Sequence, residues 1–454
     1  MGEWQMAQHE LKRELKNRHV QLIAIGGTIG TGLFLGSGKA IQLAGPSIIL
    51  AYLIVGIALF FVMRALGELL LSNAGYQSFN DFATDYIGPW AGYVTGWTYW
   101  FCWIMTAMAD IIAVGVYVQY WFEIPQWIPA ILVLVILLGL NLLTVKLFGE
   151  LEFWFALIKV ITILALIVIG VILLVIGFKT DAGVVSISNL WAYGGLFPNG
   201  IEGFFLAFQM VVFAFVGIEL VGVSAAETAN PQKNIPSAIN KIPFRILFFY
   251  VGALIIILSI NPWQQLTAAS SPFVQVFSLV GIPVAAGIIN FVVLTSAASA
   301  GNSGMFSTSR ILYNLSKHNQ GPSSFAKLSK NHVPSKALIT SAVVVSIGAL
   351  LSKLVPEQAF SIVTTISAIC FIWVWSIILI SHIRYQKTRP DLRAKSTFKA
   401  PLTPFINYLV LALFAAILVI MLFAEATRIA LFMTPLWFLL LFILYRFRKR
   451  KSSV

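Results

Sequence analysis

Ile25-Gly26-Gly27-Thr28-Ile29-Gly30-Thr31-Gly32-Leu33-Phe34 opens the first long apolar run of this chain. Residues 26–32 hold four glycines and two threonines, although each glycine costs about 1 kcal/mol against alanine inside a helix. One reading is close helix packing, because Gly26 and Gly30 have the spacing that lets two membrane helices touch. The other is a helix that unwinds at mid-membrane. Its freed N–H groups then face a carboxylate, and its freed carbonyls face an ammonium or another cation.

Composition supplies the setting. Of 454 residues, 59% are hydrophobic and only 10% are charged, against roughly 25% charged in ordinary soluble domains. So few charges cannot dress a water-facing surface, and the surface is expected to face lipid. The net charge of +13 does not indicate a nucleic-acid partner. The basic residues stand in short gaps between apolar runs, where headgroups and topology account for them. Cys102 and Cys370 both fall inside apolar runs and read as small buried hydrophobes.

A bilayer core needs roughly 20 apolar residues per helix. Runs of that kind lie near 20–44, 47–71, 92–121, 126–146, 152–177, 203–225, 242–260, 283–313, 338–354, 358–383, 404–423 and 427–446, twelve in all. Helices are the expected form, since lipid-facing backbone must satisfy its own hydrogen bonds. With twelve spans both termini share one side, and 25 of the 30 Lys and Arg residues fall there. Four, namely Lys39, Lys179, Lys353 and Arg428, fall on the other, and Lys159 lies within a span. The asymmetry places both termini in the cytoplasm. No connector is long enough for a separate core, so residues 20–446 are expected to form one membrane domain. A cytoplasmic tail (1–19) precedes it and a basic tail (447–454) follows.

The sixth run favours unwinding. It reads Phe213-Ala214-Phe215-Val216-Gly217-Ile218-Glu219, followed by Ser224-Ala225-Ala226-Glu227. A carboxylate such as Glu219 is expensive inside a membrane and marks a functional position. It can cap freed N–H groups at a break, or it can act in coupling or gating. Spans one and six are five apart, as in two inverted five-helix repeats (here about 20–177 and 203–383) with a site between them and two further helices (404–446) behind.

Lys159 follows Phe153-Trp154-Phe155-Ala156-Leu157-Ile158. It can snorkel to the interface, because Glu152 lies only seven positions earlier, about 10 Å along a helix. It can equally be a buried amine that changes charge during a working cycle. Asp110 follows the Trp97, Trp100 and Trp103 cluster and is expected near the pathway or paired locally. The eighth run carries Thr295-Ser296-Ala297-Ala298-Ser299-Ala300-Gly301-Asn302-Ser303. Such residues pack helices closely or line a polar cavity, where Asn302 is the best candidate. Trp90, Trp127, Trp263 and Trp437 read as interfacial aromatics. There is no phosphate-binding loop and no metal-ligand cluster, so neither an ATP-driven pump, a cofactor, a metal site nor an enzyme is indicated.

Several of these stretches resemble one family. Asn17-Arg18-His19-Val20-Gln21-Leu22-Ile23-Ala24-Ile25-Gly26-Gly27, continuing into Gly30-Thr31-Gly32-Leu33-Phe34, is similar to the opening of bacterial amino acid permeases of the amino acid–polyamine–organocation superfamily. Phe213 to Glu219 with Glu227-Thr228 looks like that family's sixth helix, and Ser307-Thr308-Ser309-Arg310 like the end of its eighth. Three stretches resemble its permeases for small neutral amino acids of the D-alanine, D-serine and glycine class: Arg64 to Asn73, Gly96 to Trp103, and Thr434 to Phe438.

The resemblance implies an all-α membrane protein of twelve transmembrane helices, with the leucine-transporter-type five-plus-five inverted repeat and two additional C-terminal helices. It implies a secondary active transporter at the cell membrane that imports a small amino acid by proton symport through alternating access. Permeases for proline, aromatic amino acids or GABA, and amino acid exchangers, share the frame. The substrate carboxylate would meet N–H groups around Gly30, Thr31 and Gly32. The ammonium would meet carbonyls near Thr28 and Ile29 and around Phe213, Ala214, Phe215 and Val216, with Phe213 as an aromatic gate. Lys159 would match the fifth-helix lysine that stands in for a sodium ion in proton-coupled members; nothing here marks a complete sodium site.

Overall fold

The computed structural model describes residues 29–73, 75–76, 78–143, 145–180, 183–220, 230–281 and 283–452. Thr28, Glu227 and the N-terminal tail therefore lie outside the described residues. The chain is predominantly helical, its only described strands being the two-residue hairpin Lys179–Thr180 with Gly183–Val184. Among the described residues eight helices are long and apolar enough to cross a membrane, and three shorter apolar helices accompany them.

In chain order the elements that position the site are α1 (Ser37–Ala44), α2 (Ile48–Ser72), α3 (Phe79–Tyr86), α4 (Pro89–Val118), α5 (Trp127–Leu143), α6 (Val145–Ile176), α7 (Gly200–Leu206), α8 (Phe208–Ala214), α9 (Pro231–Asn240), α10 (Ala253–Ile260), α11 (Pro283–Lys317), α12 (Ser335–Leu354), α13 (Pro356–Thr388), α14 (Pro390–Lys395), α15 (Phe405–Ile420) and α16 (Glu425–Ser452). Between α1 and α2 the chain turns at Gly45, whose φ of 60° and ψ of −146° suit glycine alone, followed by Pro46. This is the gap between the first two apolar runs.

Burial sorts the helices into centre and rim. The most apolar window of α4 is 83% buried, whereas those of Glu150–Ile176 and Thr427–Arg448 are 28% and 22% buried. The centre is therefore α4, with α11 and α13 packed against it, and α6 and α16 turn broad apolar faces outward. Small residues bring α4 and α11 together: a Cβ added at Gly304 would stand 3.1 Å from the Ala107 methyl. The small-residue run of α11 thus serves close packing, and its hydroxyl and amide groups take up polar contacts besides.

Trp437 departs from the interfacial reading. It stacks on Phe101 at 4.2 Å between ring centroids and 15° between planes, and its indole donates to Thr98 Oγ1 at 3.2 Å. A single late tryptophan gives no sequence sign of which helix it faces; here it fastens α16 to the central helix.

A second fastening lies at the end of α2. Glu68 is fully buried. Its Oε2 accepts the backbone N–H of Ala400 at 2.6 Å and faces His382 Nε2 at 2.9 Å. Arg393 Nε lies 3.6 Å from Oε1. On the other side of the imidazole, Asn407 Nδ2 is 2.9 Å from His382 Nδ1. The network fits a histidine that donates from Nε2 to the carboxylate and accepts the amide at Nδ1. It joins α2 to α13, to the connector after α14, and to α15. Arg64, one turn earlier, lies over the Phe398 ring at 3.8 Å and donates to Asn240 of α9. Replacing Glu68 with Ala removes the acceptor for a buried imidazole and an N–H and the counter-charge of a guanidinium, and should cost about 3 kcal/mol. We expect a lowered thermal unfolding midpoint of the detergent-purified protein, and an unchanged midpoint would contradict the fastening.

Candidate functional site

The first described residues of the chain are irregular in backbone. Ile29 and Gly30 are non-helical, Thr31 leads into a π-helical turn over Gly32–Gly36, and regular α-helix resumes only at Ser37. The Gly30 carbonyl accepts the N–H groups of Leu33 and Phe34, both at 3.2 Å. Above it lies the start of a helix, whose first N–H groups have no partner within the helix.

The second break follows α8. Helical winding stops at Ala214, and residues 215–219 run through tight turns with Gly217 at φ 91°. These turns are closed by short-range bonds such as Val216 N–H to the Phe213 carbonyl at 3.2 Å and Ile218 N–H to the Phe215 carbonyl at 3.2 Å. The freed carbonyl of Ala214 is met by the Tyr250 hydroxyl at 3.4 Å. Glu219 is fully buried and accepts the Tyr99 hydroxyl at 3.1 Å. The Tyr250 hydroxyl thus stands in for a donor that regular winding would have supplied to the Ala214 carbonyl.

The two breaks meet backbone to backbone. A Cβ on Gly32 would lie 2.5 Å from Ala214 Cα, 2.9 Å from its nitrogen and 3.0 Å from the Phe213 carbonyl oxygen. Ile29, Thr31, Phe213, Ala214, Phe215 and Val216 are all buried. Phe213 meets Phe360 of α13 edge to face at 6.1 Å, and Phe215 stacks on Tyr250 at 4.8 Å. Of the sequence-predicted positions, Gly32 is thus brought against Phe213 and Ala214, and Ile29, Thr31, Phe215 and Val216 are buried next to them in the chain; Thr28 lies outside the described residues.

A polar cluster adjoins this region, and its acids are what sequence reasoning undervalued. Thr31 Oγ1 donates to Asp110 Oδ1 at 2.8 Å. Asp110 and Lys159 are each 1% exposed and Glu152 is fully buried. Lys159 has Glu152 and Asp110 as its charged neighbours, and α6 carries the glutamate and the lysine two turns apart on one face. Ser299 of α11 donates to Glu152 at 2.9 Å. Asn302 lies on this side: Asn141 Nδ2 donates to its Oδ1 at 2.7 Å, and its side chain stands beside Glu152. Its contacts in the structure are with this cluster. Glu152 looked like an interfacial residue because the apolar run begins there. Since α6 starts at Val145, the glutamate sits two turns inside the helix, and its seven-residue spacing from Lys159 was the available signal.

Two stretches of irregular backbone meet here among long apolar helices, with buried charges alongside, and comparison with known proteins gives the class as a membrane transporter. The amino acid permease family model matches residues 19–453, and the chain belongs to that family. It is 62% identical over 446 residues (98% of this chain, 96% of the relative) to the amino-acid permease AapA of Bacillus subtilis (strain 168). It is 61% identical over 447 residues (98% of each) to the uncharacterized transporter YdgF of the same organism. It is 54% identical over 451 residues (98% and 96%) to the D-serine/D-alanine/glycine transporter of Escherichia coli (strain K12). This is a multi-pass membrane transporter, not an enzyme.

Gly32→Ala tests the contact directly. The added methyl meets backbone atoms, which cannot rotate aside, so the two breaks must separate. We expect uptake to fall at least about tenfold, equivalent to 1.4 kcal/mol, with unchanged membrane insertion. Wild-type uptake by this variant would count against the site.

Proposed function

We propose that this permease imports small neutral amino acids of the D-alanine, D-serine and glycine class by proton symport. In this reading it has twelve crossings in one transporter domain, 20–446, arranged as five plus five inverted helices with two more behind, and both termini are cytoplasmic. The observation that carries the proposal is the contact of two broken helices at Gly32 and Ala214, beside a buried amine.

A zwitterion loses its hydration on entering a dry site, and imperfect replacement costs several kcal/mol. Helix-start N–H groups at Gly30, Thr31 and Gly32 take the substrate carboxylate, helped by the helix dipole. Carbonyls at Thr28, Ile29 and Phe213–Val216 take the ammonium. Phe213, wedged against Phe360, closes over the substrate, and Glu219 stabilises the break. Close approach of the two segments leaves little room for a side chain, which supports a small substrate over an aromatic one. Rocking of one helix group against the other around this point then exposes the site to each side in turn. Lys159 belongs to the coupling apparatus.

Competition against labelled D-alanine in proteoliposomes checks the substrate class. Glycine, both alanines and both serines should inhibit, while proline, GABA and phenylalanine should not; strong inhibition by phenylalanine without glycine would overturn the assignment. Lys159→Ala should abolish accumulation driven by an inward proton gradient, and undiminished pH-driven accumulation would refute the coupling role.

A further inference from the structure

Lys159 does not face one carboxylate but two, and this changes where the proton is best carried. Two elements bring ionisable groups to the cluster or its edge: α4 supplies Asp110 and the nearby Tyr117, and α6 supplies Glu152 and Lys159; among the described residues the start of the first helix adds the neutral Thr31 hydroxyl. From α5 and α11 come the neutral groups Asn141, Ser299, Asn302 and Ser303. With the amine charged and both acids ionised the set carries a net charge of −1, and one added proton makes it neutral. Were the amine to give up its proton instead, the set would reach −2 in a site shut off from water. Uncompensated charge is heavily disfavoured there. A cycle between 0 and −1 is therefore less costly than one between −1 and −2.

Geometry says where the proton sits and how it is felt. Asp110 Oδ1 accepts the Thr31 hydroxyl, while its Oδ2 has no hydrogen-bond donor among the described residues. An ionised Asp110 accepts from Thr31 more strongly than a protonated one. Thr31 stands at the start of the helix that faces Ala214.

We propose that the transported proton is carried by the carboxyl pair Asp110 and Glu152, with Lys159 as their permanently charged counter-ion, and that Asp110 reports the charge of the pair to the substrate site through Thr31. The proton binds a carboxylate oxygen on entry and leaves the same oxygen on release, and no other bond is made or broken. The inference rests on the proton-symport reading.

Lys159→Arg separates the two carriers, because a guanidinium supplies the charge but does not deprotonate. Wild type, Lys159→Arg, Glu152→Asp and the double variant Asp110→Asn/Glu152→Gln are reconstituted, with labelled D-alanine as probe. Accumulation under an inward proton gradient, acidification of the lumen, and counterflow without a gradient are measured on each. Lys159→Arg and Glu152→Asp should retain gradient-driven accumulation. The double variant should lose it by at least about tenfold while counterflow persists at a lower rate. Gradient-driven accumulation surviving in the double variant overturns the proposal, as does its loss in Lys159→Arg with counterflow intact. Should Lys159→Arg fail to fold, pH-difference infrared spectra of the wild type decide. A protonated-carboxyl band that is altered in Glu152→Gln supports the pair, and its absence overturns it. Counterflow in the wild type with neither accumulation nor acidification overturns proton symport itself, and this inference with it.

Discussion

Peptide groups inside a bilayer must find partners within the protein, and this requirement governs everything around the two breaks. Regular winding satisfies each N–H and carbonyl within its own helix. Where winding stops at residues 29–30 and 215–219, other groups take over. The Gly30 carbonyl takes two N–H groups, Tyr250 reaches the Ala214 carbonyl, and Glu219 takes the Tyr99 hydroxyl. Irregular backbone is tolerable here only because protein covers it. The absent side chain of Gly32 makes that cover continuous across the two segments.

Charge follows the same economy of placement. In a chain with only 10% charged residues, the buried ones described above gather at a few points. Asp110, Glu152 and Lys159 share one cluster, Glu219 sits among hydrogen-bond donors, and Glu68 binds a histidine and an arginine at the far end of α2. In each place the surrounding polar groups come from several helices. The charges therefore set the mutual position of helices that apolar contact alone would let slide.

How much of this could be read from the sequence depended on how local each signal was. The first break announced itself through four glycines in seven positions, and the second through Gly217 and Glu219 at the end of an apolar run. Lys159 stands out because it is the one basic residue that the span pattern assigns to neither side of the membrane. Asp110 was noticed, but its bond to Thr31 spans 79 positions and leaves no local pattern. Glu152 reads as an interfacial residue because the apolar run, and not the helix, begins near it. His382 is fully enclosed between Glu68 and Asn407, partners 314 and 25 positions away. Partners contributed by distant helices are set by tertiary packing, and periodicity carries no information about them. Trp437 illustrates this from the apolar side, since its stacking on Phe101 joins residues more than 300 positions apart.

The Glu68 fastening also bears on how the molecule is made. Its hydrogen-bond donor on Ala400 lies 332 positions further along the chain. At ribosomal speeds of about 5–20 residues per second, the glutamate emerges tens of seconds before that donor exists. Throughout this interval the second helix carries an acid whose final partners have not been synthesised. The last quarter of the polypeptide thus acts as a closing clasp: the earlier helices reach their final arrangement only when it arrives. Truncations that remove it leave the Glu68 carboxylate without these partners.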